Sequence, residues 1–209
     1  MTNEILYLLL PDFASHEMIH IMQAVSSDER ELKANPKYIN KIVAPSMEPI
    51  TAIGGFRVLP DYTFRTMPDS YAALILIGGF GWMKPVADEV RPIVSKAAAT
   101  GKIIGGICNG ASFLAKCGVL NNVKHTGNGI DQLKLWGGEN YTNIGGYIHE
   151  QAVADGRIVT ANGSGALEFA KEMLLVLEND TPENIEMYYQ FHKQGFCALF
   201  PDNTKDVTK

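Results

Sequence analysis

The apolar run at residues 4–10, EILYLLL, constrains the fold of this chain more than any other feature. A strand without polar alternation has to be covered on both faces, as the central strands of parallel sheets are. A similar run at residues 72–77 ends in a glycine cluster at residues 78–81, and both runs precede segments with helical spacing. Apolar strands that alternate with helices predict an α/β domain around a mostly parallel sheet.

Two further segments add β-structure to this plan. Residues 51–64 hold two short β-rich pieces on either side of a Gly-Gly pair, which predicts a small added β-hairpin or a turn into an edge strand. Residues 141–154 and 157–161 are β-rich, and the Asp-Gly pair between them is a strong hairpin signal. Since no linker divides the chain, we predict a single domain over residues 1–209, with a core at about 4–178 and a C-terminal helix and tail at about 182–209.

Composition narrows the function classes. The formal net charge of −5 argues against nucleic acid or an anionic membrane as the main partner. The chain has 3 cysteines, an odd number without a C-x-x-C pair, which is unlike a disulfide framework or a zinc site. The apolar segment at residues 5–10 is short and follows no basic region, so it predicts neither a signal peptide nor a membrane span. We therefore expect a cytoplasmic protein.

The segment Lys102–Leu120 has the layout of a nucleophile elbow. A short buried strand is followed by Cys108 and then by an apolar-periodic helical segment. Small neighbours permit the strained turn that raises a nucleophile above a sheet, and a helix N-terminus favours a thiolate. The alternative is a buried cysteine that acts as a small hydrophobe. The small neighbours are Gly105, Gly106, Gly110 and Ala111.

A carboxyl group is expected at the same edge of the sheet. Glu17 falls in the first turn of the helix that follows the first strand. Ligands of open α/β sheets bind at the carboxyl ends of the strands. The alternative for Glu17 is a carboxylate that only complements the helix dipole. The glycine cluster at residues 78–81 would let the backbone approach a ligand closely, but its spacing does not fit a phosphate loop.

Four segments together resemble one known family. They are the elbow ICNGASFLAKCGVL, the glycine turn ALILIGGFGW, the hairpin TAIGGFRVLPDYTF and the segment GRIVTANGSGALEFAKEML. In this order they resemble the ThiJ/PfpI family of the class I glutamine amidotransferase-like superfamily, which includes the Parkinson-disease protein deglycase. The resemblance runs from about residue 5 to residue 177. With the strand pattern, it gives the predicted fold class: an α/β flavodoxin-like three-layer sandwich with a mostly parallel central sheet, an added β-hairpin and a nucleophile elbow.

The resemblance also implies roles for individual residues. Cys108 matches the family's nucleophile or redox-sensitive thiol, and Glu17 matches the acidic residue that hydrogen-bonds to it. Gly79 and Asn109 match the positions whose backbone N–H groups form an oxyanion hole, which would stabilise charge on a carbonyl oxygen under attack. Members of the family commonly form homodimers, so we expect one here. We expect no metal or cofactor, and the substrate-binding residues are not indicated.

The catalytic histidine is less clearly placed. Protease-like members carry it directly after the cysteine, where this chain has Asn109. Other members have a later V-T-T-H segment, and the corresponding residues 123–126 here place His125 one position early. A general base has to be within hydrogen-bond reach of the thiol. His125 is therefore a candidate partner of Cys108, and a solvated loop histidine is the alternative.

Two classes of function follow from these residues. The first is a cysteine-dependent enzyme for a small carbonyl, amide or nitrile-type substrate, with hydrolase, hydratase and glyoxalase- or deglycase-type chemistry all allowed. Peptidase activity is less expected because of Asn109, and glutaminase activity because no later H-x-E pair is visible. The second is a non-catalytic redox or stress sensor in which Cys108 is oxidised to a sulfinic acid.

Overall fold

The apolar N-terminal run forms the central strand of a large sheet. The structure, a computed structural model, describes residues 3–26 and 36–201 of the 209-residue chain. The strands in these residues are β1 (Glu4–Leu8), β2 (Ile39–Ala44), β3 (Ile50–Thr51), β4 (Arg57–Val58), β5 (Tyr62–Thr63), β6 (Ala73–Leu76), β7 (Ile103–Ile107), β8 (Ala152–Asp155) and β9 (Ile158–Ala161). The α-helices are α1 (His16–Ser26), α2 (Arg91–Ala99), α3 (Asn109–Lys116), α4 (Ile130–Gly137), α5 (Ala166–Val176), α6 (Pro182–Gln194) and α7 (Phe196–Leu199).

Seven of the strands described form one mostly parallel sheet in the order β5-β2-β1-β6-β7-β9-β8. Strand β1 pairs in parallel with both neighbours, so that Leu6 lies between Lys41 and Leu74. Strand β8 alone runs antiparallel, because the predicted Asp-Gly turn returns the chain directly onto β9. The carboxyl ends of β1, β6 and β7 therefore lie side by side at one edge.

Side chains alternate between two apolar layers, one on each face of the sheet. Ile5 and Tyr7 of β1 are buried in the same cluster as residues of α1 and α5. Leu6 and Leu8 are buried on the other face with residues of α2 and α3. The central strand is thus covered on both sides, as its unbroken apolar sequence requires. The predicted three-layer α/β fold is confirmed.

The added hairpin is smaller than the predicted segment 51–64. Strands β3 and β4 pair antiparallel as a separate ribbon, whereas β5 leaves them and joins the edge of the main sheet beside β2. Asp61 causes this change of direction, since its backbone N–H donates to the Ile42 carbonyl and its carboxylate accepts the Ile42 N–H. The predicted segment therefore contains both the small hairpin and a turn into an edge strand.

The segment 141–154, predicted to be β-rich, forms a strand only at its end. Strand β8 begins at Ala152 and runs to Asp155, and a 3-10 turn covers Ile144–Gly146. The Asn143 side chain donates to the carbonyls of Leu120 and Val123, which holds this turn against the preceding loop.

The C-terminal helix was predicted from Pro182 and is present as α6. Thr181 caps it by accepting a hydrogen bond from the Asn184 N–H. The predicted tail beyond residue 201 lies outside the described residues. Within residues 3–26 and 36–201, every helix is too short or too polar to cross a lipid bilayer.

Candidate functional site

Cys108 lies in a strained turn between β7 and α3. Its backbone φ is 56° and ψ is −124°, a region that residues other than glycine seldom adopt. Such a conformation costs on the order of 1–3 kcal/mol and persists only where surrounding contacts fix it. Gly110 is one reason that the turn fits, because a Cβ there would lie 2.3 Å from the Leu76 carbonyl oxygen. The strained strand–turn–helix geometry that the sequence predicted around Cys108 is present.

Glu17 reaches the elbow from the first turn of α1. Only 2% of the residue is exposed, so it does not act as a solvated helix-end carboxylate. Its Oε2 accepts a 2.7 Å hydrogen bond from the Gly78 N–H, and its carboxyl group also bonds to the Cys108 side chain. A Cβ on Gly78 would lie 2.6 Å both from Cys108 Cβ and from Glu17 Oε2. Glycine at this position is what lets the acid and the thiol meet.

Burial governs the protonation of this pair. Desolvation raises the pKa of Glu17 to about 7, against smaller opposing effects from the Gly78 N–H, Cys108 and His16. Burial and the adjacent Glu17 charge also raise the pKa of Cys108, while hydrogen bonds from Asn128 and Asn109 lower it. We expected the helix N-terminus to favour a thiolate, but burial outweighs the donors. At neutral pH the thiol therefore keeps its proton, and the Glu17 carboxyl group is about half ionised.

Asn128 is a contact of Cys108 that the sequence did not indicate. Its Nδ2 donates a 3.2 Å hydrogen bond to Cys108 Sγ, and its Oδ1 accepts a 2.9 Å bond from the Gly163 N–H. Gly163 lies against the sulfur, since a Cβ there would be 3.0 Å from Sγ. His16 Nε2 lies 3.2 Å from the Gly163 carbonyl oxygen. In the sequence, Asn128 stands between two glycines. This pattern is common in turns and does not indicate contact with a thiol.

The predicted oxyanion donors lie at the same edge. The Gly78 carbonyl accepts the Ala14 N–H at 2.9 Å, and because peptide bonds are trans, the Gly79 N–H points away from Ala14. Gly79 has a φ of 136°, which favours glycine. Asn109 Nδ2 donates to the Gly79 carbonyl at 2.8 Å, and the Asn109 backbone N–H bonds to Cys108. The Asn109 side chain thus fixes the glycine turn to the start of α3.

His125 occupies neither of its two expected environments. It is completely buried, so it is not a solvated loop residue. Its Nδ1 lies 2.8 Å from the Val123 carbonyl oxygen, which can only accept, so Nδ1 carries the proton. Its Nε2 then accepts from the Tyr141 hydroxyl at 2.7 Å. Both ring nitrogens are engaged away from Cys108, and we do not assign His125 the role of base.

A pocket of about 370 Å³ lies next to two residues that contact the thiol. Two of its walls, Asn128 and Gly163, are the residues that contact Cys108 Sγ. Tyr147, His149, Glu150 and Ser164 also line it. Within the described residues, no three histidine, cysteine, aspartate or glutamate side chains converge as metal ligands would.

Comparison with known proteins shows which family the chain resembles. The sequence matches the DJ-1/PfpI family over residues 3–175. It is 33% identical over 192 residues to the uncharacterized protease YdeA of Bacillus subtilis (strain 168), covering 91% of each chain.

Solved structures show the same likeness. A DJ-1 superfamily protein from Agrobacterium tumefaciens has a TM-score of 0.78 and 31% identity, covering 93% of this chain and 99% of the other. A thiJ/pfpI family protein from Bacillus anthracis has a TM-score of 0.87 and 26% identity, covering 96% of this chain and 94% of the other. The chain belongs to the DJ-1/PfpI family.

Proposed function

We propose that this protein is an enzyme that uses Cys108 as a nucleophile on a small carbonyl, amide or nitrile-type substrate. The observation that carries the proposal is the contact between the buried Glu17 carboxyl and a thiol on a strained elbow. A carboxyl group with a pKa of about 7 exchanges protons near neutral pH, as a general base must. A strained backbone and a half-protonated buried acid both reduce stability, and both are features that active sites retain.

The chemistry begins with transfer of the Cys108 proton to the Glu17 carboxylate. Sγ then forms a bond to the electrophilic carbon, and the π electrons of the carbonyl move to its oxygen. The backbone N–H groups of Gly79 and Asn109 would bind that oxyanion. With an aldehyde, Glu17 returns the proton to that oxygen and the product is a hemithioacetal. With an amide, Glu17 returns the proton to the departing nitrogen, and water later cleaves the thioester.

A small substrate suits this site better than a polypeptide. The pocket beside the thiol holds about 370 Å³, which is at the small end for ligand sites. The relative from Bacillus subtilis is named as a protease. In this chain, however, the residue after the nucleophile is Asn109, an amide that cannot act as a base and whose side chain already bonds to Gly79.

A redox sensor is the competing function. A protonated Glu17 would donate a hydrogen bond to an oxidised Cys108, and a pKa of about 7 makes that form available at neutral pH.

The cytoplasmic location and the homodimer stay predictions. Sedimentation of the purified protein tests the dimer.

The experiment compares wild type with Cys108→Ser and Cys117→Ser on a panel of aldehydes, amides and nitriles. Cys117 is the matched control, since its pKa is raised to about 11 by burial and it lies at the other end of α3. Turnover that is lost only in Cys108→Ser supports the enzyme. If no substrate of the panel is turned over while peroxide adds two oxygen atoms at Cys108 alone, the redox sensor replaces the enzyme as the proposed function.

A further inference from the structure

The pocket beside Cys108 carries a charge pattern that the nucleophile and its partners do not explain. Asn128 donates to the sulfur and also forms a wall of the pocket, so a ligand in the pocket lies next to the thiol. Gly163 has no side chain to separate the two. Cys108 does not itself line the pocket, but two of the lining residues, Asn128 and Gly163, lie against its Sγ.

The other walls supply hydrogen-bonding groups. The Tyr147 hydroxyl lies 3.2 Å from His149 Nδ1, which orients that ring and leaves its Nε2 for another partner. Ser164 adds a hydroxyl group. Backbone pairing holds the segment with Tyr147 and His149 in place. His125 forms a parallel β-bridge with Tyr147, and the His125 carbonyl accepts a hydrogen bond from the Ile148 N–H. The lining suits a ligand with hydroxyl or amide groups.

The fixed charge of the pocket is negative. Glu150 is a lining residue, whereas none of the described residues that line the pocket is a lysine or an arginine. Glu17 adds a second negative charge on the thiol side when it is ionised. An anionic ligand would meet like charges here, with no lysine or arginine among the described lining residues to offset them.

We propose that this pocket is the substrate-binding site and that it selects uncharged or cationic polar carbonyl compounds over anions, with Glu150 as a specificity-determining residue. This proposal rests on the proposed function, which identifies Cys108 as the reacting thiol. It assigns the pocket to hydroxylated aldehydes, ketones or neutral amides. It excludes keto acids and phosphorylated compounds.

Two alkylating reagents of nearly equal size test the charge selection without requiring turnover. Iodoacetamide is neutral and iodoacetate is anionic, so the ratio of their rates at Cys108, divided by the same ratio for free cysteine, reports the potential in the pocket. We expect wild type to react preferentially with iodoacetamide. In Glu150→Gln, the normalised rate ratio should fall about five-fold at low salt. Glu183→Gln, an exposed change on α6, is the matched control and should keep the wild-type ratio.

A competition experiment tests the polar lining. Glyceraldehyde should protect Cys108 from iodoacetamide at a lower concentration than propanal, which has the same carbon chain without hydroxyl groups. His149→Phe and Ser164→Ala should each reduce that difference. Equal ratios for wild type and Glu150→Gln, or equal protection by the two aldehydes, would overturn this inference while leaving a reactive Cys108 intact. Failure of the whole substrate panel would count against the proposed enzyme instead.

Discussion

The Gly78 N–H donates a 2.7 Å hydrogen bond to Oε2 of Glu17, a residue with only 2% of its surface exposed. One backbone donor does not replace the water that this carboxyl group loses, so its pKa remains raised, at about 7. In the unfolded chain the same group has a pKa near 4.5. The difference makes Glu17 useful as a proton acceptor and unfavourable for stability.

The first prediction is that Glu17→Gln stabilises the protein above neutral pH. Below pH 4.5 the carboxyl group is mostly protonated in the folded and in the unfolded state, so its ionisation does not change the free energy of unfolding. As the pH rises from 4.5 to about 7, the unfolded state ionises first, so wild type loses stability through this group. The loss is on the order of 3 kcal/mol at pH 8, since each pKa unit corresponds to about 1.4 kcal/mol.

Urea unfolding of both proteins across this pH range measures the effect. The difference in the free energy of unfolding should be small at pH 4.5 and grow until about pH 7. Glu183→Gln serves as an exposed control and should show no such growth. A difference that stays constant with pH would mean that burial does not shift this carboxyl group.

The second prediction concerns the pH dependence of activity. If the Glu17 carboxylate accepts the thiol proton, kcat/KM should rise with pH to a midpoint near 7, where the carboxyl group ionises. Glu17→Gln should lower kcat/KM by about 100-fold or more and remove this ascending limb, because a carboxamide cannot accept a proton. An unchanged limb in the variant would assign the titration to another group.

The residues of the elbow could be predicted because they follow from local sequence. Cys108 stands between an apolar strand and a helical segment, and Glu17 opens the helix after β1. Their meeting needs only that parallel strands end at one edge. Asn128 and Gly163 could not be found in this way, since they are 20 and 35 residues from their partners and depend on how the intervening loops fold back.

His125 shows a different limit of sequence reasoning. The family resemblance made it a candidate partner of the thiol, but its environment depends on burial and on which groups its ring nitrogens contact. Only the structure shows that one ring nitrogen bonds to the Val123 carbonyl and the other to the Tyr141 hydroxyl. Likewise, the sequence left open whether residues 51–64 form a hairpin or turn into an edge strand, and the pairing of Asp61 with Ile42 beside β5 was not visible in it.

The third prediction uses Gly78. An alanine Cβ there would stand 2.6 Å from both Cys108 Cβ and Glu17 Oε2, so the pair has to separate. We expect Gly78→Ala to destabilise the protein by about 1–3 kcal/mol and to abolish turnover by displacing the acid from the thiol. Gly54→Ala is the matched control, because its Cβ would meet no atom within 4 Å. Retention of full activity in Gly78→Ala would contradict the close approach.

The fourth prediction tests Asn128 as a donor to sulfur. Its Nδ2 lowers the pKa of Cys108, so Asn128→Ala should raise that pKa and slow alkylation by iodoacetamide at pH 8 by about tenfold. Asn128→Asp should slow it further, because a carboxylate repels the thiolate. Asn162→Ala, a change at another pocket residue that bonds to Gln151, is the control. Equal alkylation rates in all four proteins would remove Asn128 from the site.

The fifth prediction separates a structural His125 from a catalytic one. Tyr141→Phe removes the hydroxyl donor and leaves Nε2 of the buried ring without its partner, which should reduce the free energy of unfolding by about 1–3 kcal/mol. Burial lowers the pKa of His125, so the folded protein should also lose stability as the pH falls below 6.5, where the unfolded histidine takes up a proton first.

His125→Gln is the decisive variant for this question. It should weaken that loss of stability at low pH, since glutamine does not titrate. It should leave the pH profile of Cys108 alkylation where wild type has it, because the ring nitrogens bond to Val123 and Tyr141 and do not reach the sulfur. A profile that moves with His125→Gln but not with Tyr141→Phe would show that the imidazole, despite its buried partners, controls ionisation of the thiol.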